Sequence, residues 1–595
     1  MDNQRNLILA VVLTGLVLFG WDAGLRWMYP DYGKPKPVAT APATAPADIP
    51  ASDAAPAKEK HTREGGLTNA ADIAQEARDL KTALAAPGRV PVEAPGLVGS
   101  ISLTGAVVDD ISTVRHRQTI DKDSGPARIF SPLGTPAQHF AQFGWVGDNI
   151  DLPRAETVWS APEGAKLTPA TPVTLTWANA TGERFAIEFA IDADYMITAR
   201  QTASNLGEAP VSFRPFALIN RTDRTASIDS FNVHSGPIGA WDDAVQFGPD
   251  YDDLVDARVV AGKGSLDWIG FTDVYWMSAL IPDKAEASGD FRSLGNRLYR
   301  ADLIYAPVRL EPGKQVSRTT RLFAGTKESA VLDRYEDAGV ARFGLAIDWG
   351  WFRWIAKPIF VLLVKLFELV GNFGVAIILL TVIVRGVMFP IAQRQFASMA
   401  AMRAIQPKMK ALQERYADDK QKQQQEIMAL YKSEGVNPLA GCLPIFLQIP
   451  IFFALYKALI VSVEMRHQPF ALWIKDLSAP DPAMILNLFG LLDFTPPSFL
   501  GIGILAVLLG VTMWLQFKLN PAPMDPMQAQ VFAIMPWLMM FVMAPFAAGL
   551  LIYWNVSNIL TIAQQWYLYR QHPQLRAQAE KDAEATARAA ARAKQ

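Results

Sequence analysis

Two hydropathy rhythms divide this chain. Apolar residues gather in 7–25 and again in 355–569. Six runs of 17–24 residues, at about 7–25, 372–393, 440–463, 499–517, 531–547 and 549–569, suit a hydrocarbon core about 30 Å thick and predict membrane-spanning helices. From about 96 to 335 the rhythm becomes period two. Segments 173–177 (Val-Thr-Leu-Thr-Trp), 185–191 (Phe-Ala-Ile-Glu-Phe-Ala-Ile) and 195–199 (Tyr-Met-Ile-Thr-Ala) alternate, with Gly, Pro, Asp and Asn clusters between such runs. That pattern predicts an all-β sandwich of roughly 240 residues. The fold class is therefore a multi-domain, polytopic α-helical membrane protein of six spans with an inserted all-β sandwich.

The remaining segments connect these parts. Residues 1–27 read as an uncleaved anchor rather than a signal peptide, because no small-x-small cleavage site follows the apolar run. Residues 28–62 are a Pro/Ala-rich tether. The sandwich domain is assigned 63–345, with a short helix expected over 78–87. Residues 346–371 predict an amphipathic helix in the headgroup plane: Trp349, Trp351 and Trp354 open it, and Lys357, Lys365 and Glu368 fall within about 80° of one another. Segment 372–569 is a five-span core carrying a helical hairpin at 395–436. The hairpin's stripe of Met399, Met402, Ile405, Met409, Leu412 and Tyr416 either seals its two helices or offers an adaptable docking face. Residues 570–595 form a basic tail.

Charge sets the orientation. Segment 394–436 holds eight Lys/Arg and the tail holds six, whereas 464–498 holds only Arg466 and Lys475. The positive-inside rule puts the first two in the cytoplasm, both termini inside and residues 26–354 outside. The net charge of −2 gives no global attraction to nucleic acid, the single cysteine (Cys442) excludes intrachain disulfides, and the six histidines never reach metal-ligand spacing in sequence. The β region has no Gly-x-Ser-x-Gly elbow, His-Glu-x-x-His or phosphate loop, so it reads as a scaffold or docking module, with a sugar or peptide cleft as the alternative.

One residue breaks the apolar pattern. Arg385 lies inside the second run, nine positions before Arg394, about 13 Å along a helix. A guanidinium stays charged at any usable pH, and placing it near a bilayer centre costs about 2.5–3.5 kcal/mol on insertion scales. Snorkelling covers only part of that depth. The favoured reading is a water-filled functional cavity, with snorkelling and a buried structural ion pair as the alternatives.

Specific motifs then point to a family. They are Thr-Val-Ile-Val-Arg-Gly-Val-Met-Phe-Pro at 381–390, Ser-Met-Ala-Ala-Met-Arg at 398–403 and Gln-Pro-Lys at 406–408. Others are Asn-Pro-Leu-Ala-Gly-Cys-Leu-Pro at 437–444, Gln-Ile-Pro-Ile-Phe at 448–452 and Pro-Phe-Ala-Leu-Trp-Ile-Lys-Asp-Leu at 469–477. With Asp-Pro-Met at 525–527 and Val-Ser-Asn-Ile-Leu-Thr at 556–561, they resemble the YidC family of membrane protein insertases over nearly all of 345–570. The resemblance implies the six-span bacterial form with a periplasmic β domain, in the inner membrane. It implies a hydrophilic groove open to cytoplasm and lipid, centred on Arg385, with Thr381, Gln448, Gln516, Trp554, Asn555, Ser557 and Asn558 as lining candidates. Each of these polar side chains also suits a helix–helix hydrogen bond. Trp554 departs from the family pattern, in which a tyrosine is common.

The implied function is insertion of short polar segments of nascent membrane proteins and release of apolar helices to lipid, alone or with the Sec translocon. No enzyme activity, cofactor or metal is expected. The implied partners are nascent membrane proteins, the Sec translocon, lipids and the ribosome, met through the hairpin and tail, with no specific nucleic acid sequence; a merely solvated tail is the alternative. An assembly chaperone without a translocation role is the rival function. A transporter would be expected to show inverted repeats, and a carbohydrate enzyme would need paired carboxylates that sequence cannot place.

Overall fold

The computed structural model describes residues 61–571 except 122, 229–232, 351, 417–418, 435–442, 491, 493–500 and 520–525. The first predicted span, nearly all of the tether, Trp351, Cys442 and the tail beyond 571 lie outside the described residues.

Alternation of apolar and polar positions builds two antiparallel sheets. In strand Glu183–Ile191 buried residues recur at every second position, so Phe185, Ile187, Phe189 and Ile191 share one face. One sheet of ten strands runs through Arg89–Glu93, Leu97–Ser102, Val107–Arg117, His139–Val146, Val211–Thr222, Leu298–Tyr305, Ala287–Gly295 and Val259–Ala261, with two short strands off the path. The other, of eight strands, runs Ala244–Phe247, Gly236–Trp241, Leu266–Thr272, Trp276–Ile281, Gln315–Thr326, Met196–Asn205, Glu183–Ile191 and Val173–Ala178. Their facing sides interdigitate: Phe143 meets Phe189 edge-on at 5.8 Å, and Trp145 meets Phe185 at 5.0 Å.

Helix α1 (Ala70–Leu84) begins earlier than the expected 78–87. The Asn69 side chain caps it by accepting from the Ala71 N–H at 2.9 Å, and helix-forming residues follow without a break. Two short helices, α2 (Tyr251–Ala257) and α3 (Ser329–Asp337), belong to the sandwich's edge.

The helical part then unfolds in order: α4 (Arg353–Val370), α5 (Phe373–Arg415), α6 (Lys420–Ser433), α7 (Leu443–Val461), α8 (Ile504–Leu519), α9 (Pro526–Met543) and α10 (Ala548–Gln571). Trp349 is not the interfacial anchor its sequence position implied. It is buried in the sandwich's apolar cluster and packs on Phe360 at 5.2 Å, whereas Trp354 is 74% exposed. The apolar stretch ends at Gln393, and the same helix α5 runs on without a break into the first half of the hairpin, 43 residues in all. The hairpin closes where Ile405 and Met409 of α5 bury against Ile427, Leu430 and Tyr431 of α6, so these two residues of the stripe act as a seal.

Among the described residues one helical stretch, Phe373–Gln393, is long and apolar enough to cross a membrane; Gln448–Val461, Ile504–Leu519 and Gln530–Met543 are shorter apolar helices. Leu380, Leu455, Leu459, Leu505, Leu509 and Leu551 join α5, α7, α8 and α10 in one core. Gly374 is required in that contact, because a Cβ there would lie 2.0 Å from the Phe470 ring. Along α9, Phe532, Ile534, Trp537, Leu538 and Phe541 are exposed, a surface suited to lipid rather than water.

Sandwich and helices meet at a polar joint beyond α7. The Glu464 carboxylate accepts the Ser329 N–H at 3.0 Å, at the start of α3. Burial, with the Glu328 carboxylate nearby, pushes the Glu464 carboxyl up to about 7. The folded chain therefore prefers the protonated acid more than the unfolded chain does. Stability from this group is complete below the ordinary carboxyl value of 4.5 and is lost as pH rises from there to about 7. Glu464→Gln keeps an acceptor for Ser329 and removes the titration. At pH 8 the variant is expected to be more stable than the parent by up to ~3 kcal/mol, with the gap shrinking toward pH 5. Thermal unfolding of the full chain at both pH values checks this; identical pH dependence in the two proteins would reject it.

Candidate functional site

The site is assembled on three helices. α5 carries Arg385, α7 carries Gln448, and α10 carries Tyr553, Ser557 and Thr561, spaced by four and so aligned on one face. Arg385 Nε donates to Ser557 Oγ at 3.0 Å, and Nη2 donates to the same oxygen. Ser557 is 3% exposed, while Arg385 is half-buried. Gln448 Nε2 donates to the Tyr553 hydroxyl one turn away. Among the described residues Arg385 forms no ion pair with a carboxylate. Its cation therefore rests on a neutral hydroxyl. The neighbouring Gly386 borders open space, for a Cβ built there meets nothing within 4 Å.

The other expected lining residues do different work. Asn555 Nδ2 donates to Leu505 O at 3.0 Å and to Leu551 O at 2.9 Å, and its oxygen accepts from Thr512 Oγ1 at 3.2 Å. Asn558 Nδ2 donates to Thr512 Oγ1 at 3.1 Å. Both asparagines are buried and tie α10 to α8, the helix–helix bond that an apolar surround makes hard to replace. Thr381 is fully buried and gives its hydroxyl proton to Ile377 O at 2.7 Å, within its own helix. Trp554 packs edge-on against Phe452 at 5.0 Å. Gln516 is half-buried on α8, one turn after Thr512.

Sequence reasoning missed Tyr553 and Thr512. A signal was present: each is a hydroxyl in an apolar helix, and Tyr553 lies four positions before Ser557. Trp554 is adjacent to Tyr553 in sequence, so its side chain points about 100° away around α10.

Residues 365–575 match the family model of the 60Kd inner membrane protein, and residues 89–362 match that of the YidC periplasmic domain. The membrane protein insertase YidC of Zymomonas mobilis is 42% identical over 576 residues, covering 96% of both chains. The chain belongs to the YidC family of membrane protein insertases. The YidC protein of Bradyrhizobium diazoefficiens is 40% identical over 602 residues, covering 96% of this chain and 97% of its own. A solved structure of an active YidC insertase, with its first transmembrane domain resolved, covers 81% of this chain and 93% of its own at 18% identity and a TM-score of 0.36.

Family membership fixes the broad function. The protein is a membrane protein insertase of the bacterial inner membrane with a periplasmic β domain, and it is not an enzyme. Its substrates are nascent membrane proteins.

Proposed function

We propose that the chain spans the membrane six times with both termini in the cytoplasm, and that Arg385 is the centre of a wet groove through which short polar segments pass. The domain limits follow the sequence pattern: anchor 1–27, tether 28–62, sandwich 63–345, interfacial helix 346–371, five-span core 372–569 and tail 570–595. Gln448, Tyr553 and Ser557 accompany Arg385 on the groove wall. Asn555, Asn558 and Thr512 hold α8 and α10 at the distance the groove needs.

The observation that carries this reading is the partner of Arg385. A buried structural arginine is normally matched by a carboxylate, because an uncompensated charge in low dielectric is costly. Arg385 has the Ser557 hydroxyl instead, beside the open flank at Gly386. Its charge stays available to acidic groups of an incoming segment. The polar segment stops part-way across in water, which shortens its dry path. The attached apolar helix then leaves sideways into lipid, driven by about 25 cal/mol per Å² of apolar surface removed from water. No covalent bond changes. Larger substrates enter in company with the Sec translocon, and ribosomes approach the hairpin and basic tail by phosphate attraction.

A photo-crosslinker placed at Gly386 is expected to capture the polar tail of a ribosome-bound nascent substrate, and one at Ile534, on the exposed face of α9, is not. Capture of only the apolar helix, from either position, would favour an assembly chaperone without a translocation role.

A further inference from the structure

A second group of convergent side chains lies outside the membrane core, where the sandwich's first described residues meet the segment after α7. Glu64, His467 and Asp476 present ligand atoms that all lie within 4.8 Å of one another. We propose that this cluster is a divalent-cation site of the zinc class, which fastens the start of the sandwich domain, just after the tether, to the loop that follows α7.

The donor set fits that cation. One imidazole and two carboxylates give a mixed nitrogen–oxygen set with net charge −2, the borderline chemistry zinc accepts; calcium and magnesium favour all-oxygen sets. Spacing agrees as well. Glu64 Oε1 and His467 Nε2 are 3.6 Å apart. That is long for a hydrogen bond but close to the ~3.3 Å edge of a tetrahedron with metal–ligand bonds of about 2.0–2.1 Å. The widest pair must close by at most ~1.5 Å to reach the same edge.

The surroundings hold the ligands as a second shell would. Arg466, only 5% exposed, donates to Glu64 Oε2 and leaves Oε1 on the side of His467. Arg466 is itself fixed by Arg117 O at 2.7 Å and Gln118 O at 2.9 Å, and by stacking over Trp276 at 5.0 Å. Asp476 takes both bonds from Ser478, N–H at 2.8 Å and Oγ–H at 2.6 Å, on Oδ1. An independent observation points to a ligand here. The Tyr275 side chain is fully buried beside Arg466, whose Cζ lies 5.8 Å from its ring, and its hydroxyl has no hydrogen-bond partner among the described residues. A buried hydroxyl normally has a partner, and water held on a cation between Glu64, His467 and Asp476 supplies one.

The sequence alone did not expose this site. Glu64 is 403 positions from His467, and the fold brings them together only because Arg466 anchors the loop to the sandwich.

The full chain, purified in detergent without a histidine tag and stripped with chelator, is titrated with Zn²⁺. Expected are one bound ion per chain and a raised thermal midpoint. His467→Gln and Asp476→Asn should each weaken binding at least ~10-fold, while the metal-free midpoints stay close to that of the parent. Co²⁺ in the parent should give the intense visible absorption of a tetrahedral centre. Absence of that absorption together with no zinc uptake would overturn the proposal, as would equal affinity in parent and both variants. Insertion activity is not the readout, so failure here leaves the role of Arg385 untouched.

Discussion

Arg385→Ala is expected to slow insertion of substrates with acidic tails by at least ~10-fold, and of matched neutral tails by less than ~3-fold. Unit charges about 4 Å apart interact by about 4 kcal/mol at an effective dielectric of 20. Water in the proposed groove and motion of the tail would remove much of that. Retaining about 1.4 kcal/mol still corresponds to a tenfold rate difference. Arg385→Lys keeps the charge but not the fork that reaches Ser557 Oγ through two nitrogens, so it should fall between parent and alanine. Initial rates in liposomes containing only the purified protein, with substrates differing only in tail charge, make the comparison. Equal loss for acidic and neutral tails would remove charge attraction from the mechanism and leave the chaperone role.

How far the sequence discloses this molecule depends on the range of the interaction involved. Period-two alternation is local, and the run 185–191 falls wholly within strand Glu183–Ile191. Pairing is not local. Strand Gln315–Thr326 lies between Trp276–Ile281 and Met196–Asn205, an order that no hydropathy pattern encodes. Polarity marks where an apolar stretch ends, not where its helix does. α5 continues past Arg394 because Gln, Ala, Met and Arg are good helix formers. Trp349 was misplaced because an indole suits an interface and a core equally; its packing on Phe360 decides between them.

The site follows the same division. Arg385 is conspicuous in sequence because its surroundings are apolar. Its bond to Ser557, 172 positions away, depends on how α5 and α10 pack. The roles of Asn555 and Asn558 were equally hidden, since a polar residue in an apolar helix reads the same whether it lines water or joins two helices. Only the positions of Thr512 and Leu505 O separate the two.

The second large effect belongs to the sandwich. Asp273→Ala is expected to destabilise the folded chain by ~3–5 kcal/mol, because it strands a buried cation. Arg221 and Asp273 are joined at 2.7 Å, with side chains only 2% and 8% exposed. Asp273 Oδ1 also accepts the Ser227 N–H at 2.8 Å and the hydroxyls of Ser227 and Ser235 at 3.2 and 3.1 Å. Removing the carboxylate takes the acceptor from Arg221 and from the Ser227 N–H, while the Ser227 hydroxyl keeps Ser235 Oγ at 3.2 Å. Replacing both partners with apolar residues, Arg221→Met with Asp273→Leu, should cost much less than Asp273→Ala alone, since no buried charge remains. Denaturant midpoints of the parent, Asp273→Ala and the double variant test this; a double variant as unstable as Asp273→Ala would show that the pair matters for shape rather than charge. The comparison also bears on Arg385. In the sandwich the chain satisfies a buried guanidinium with a carboxylate of its own, and in the membrane core it gives the guanidinium a serine. That contrast is what the proposed role of Arg385 rests on: among the described residues its charge is not matched by a carboxylate of the chain.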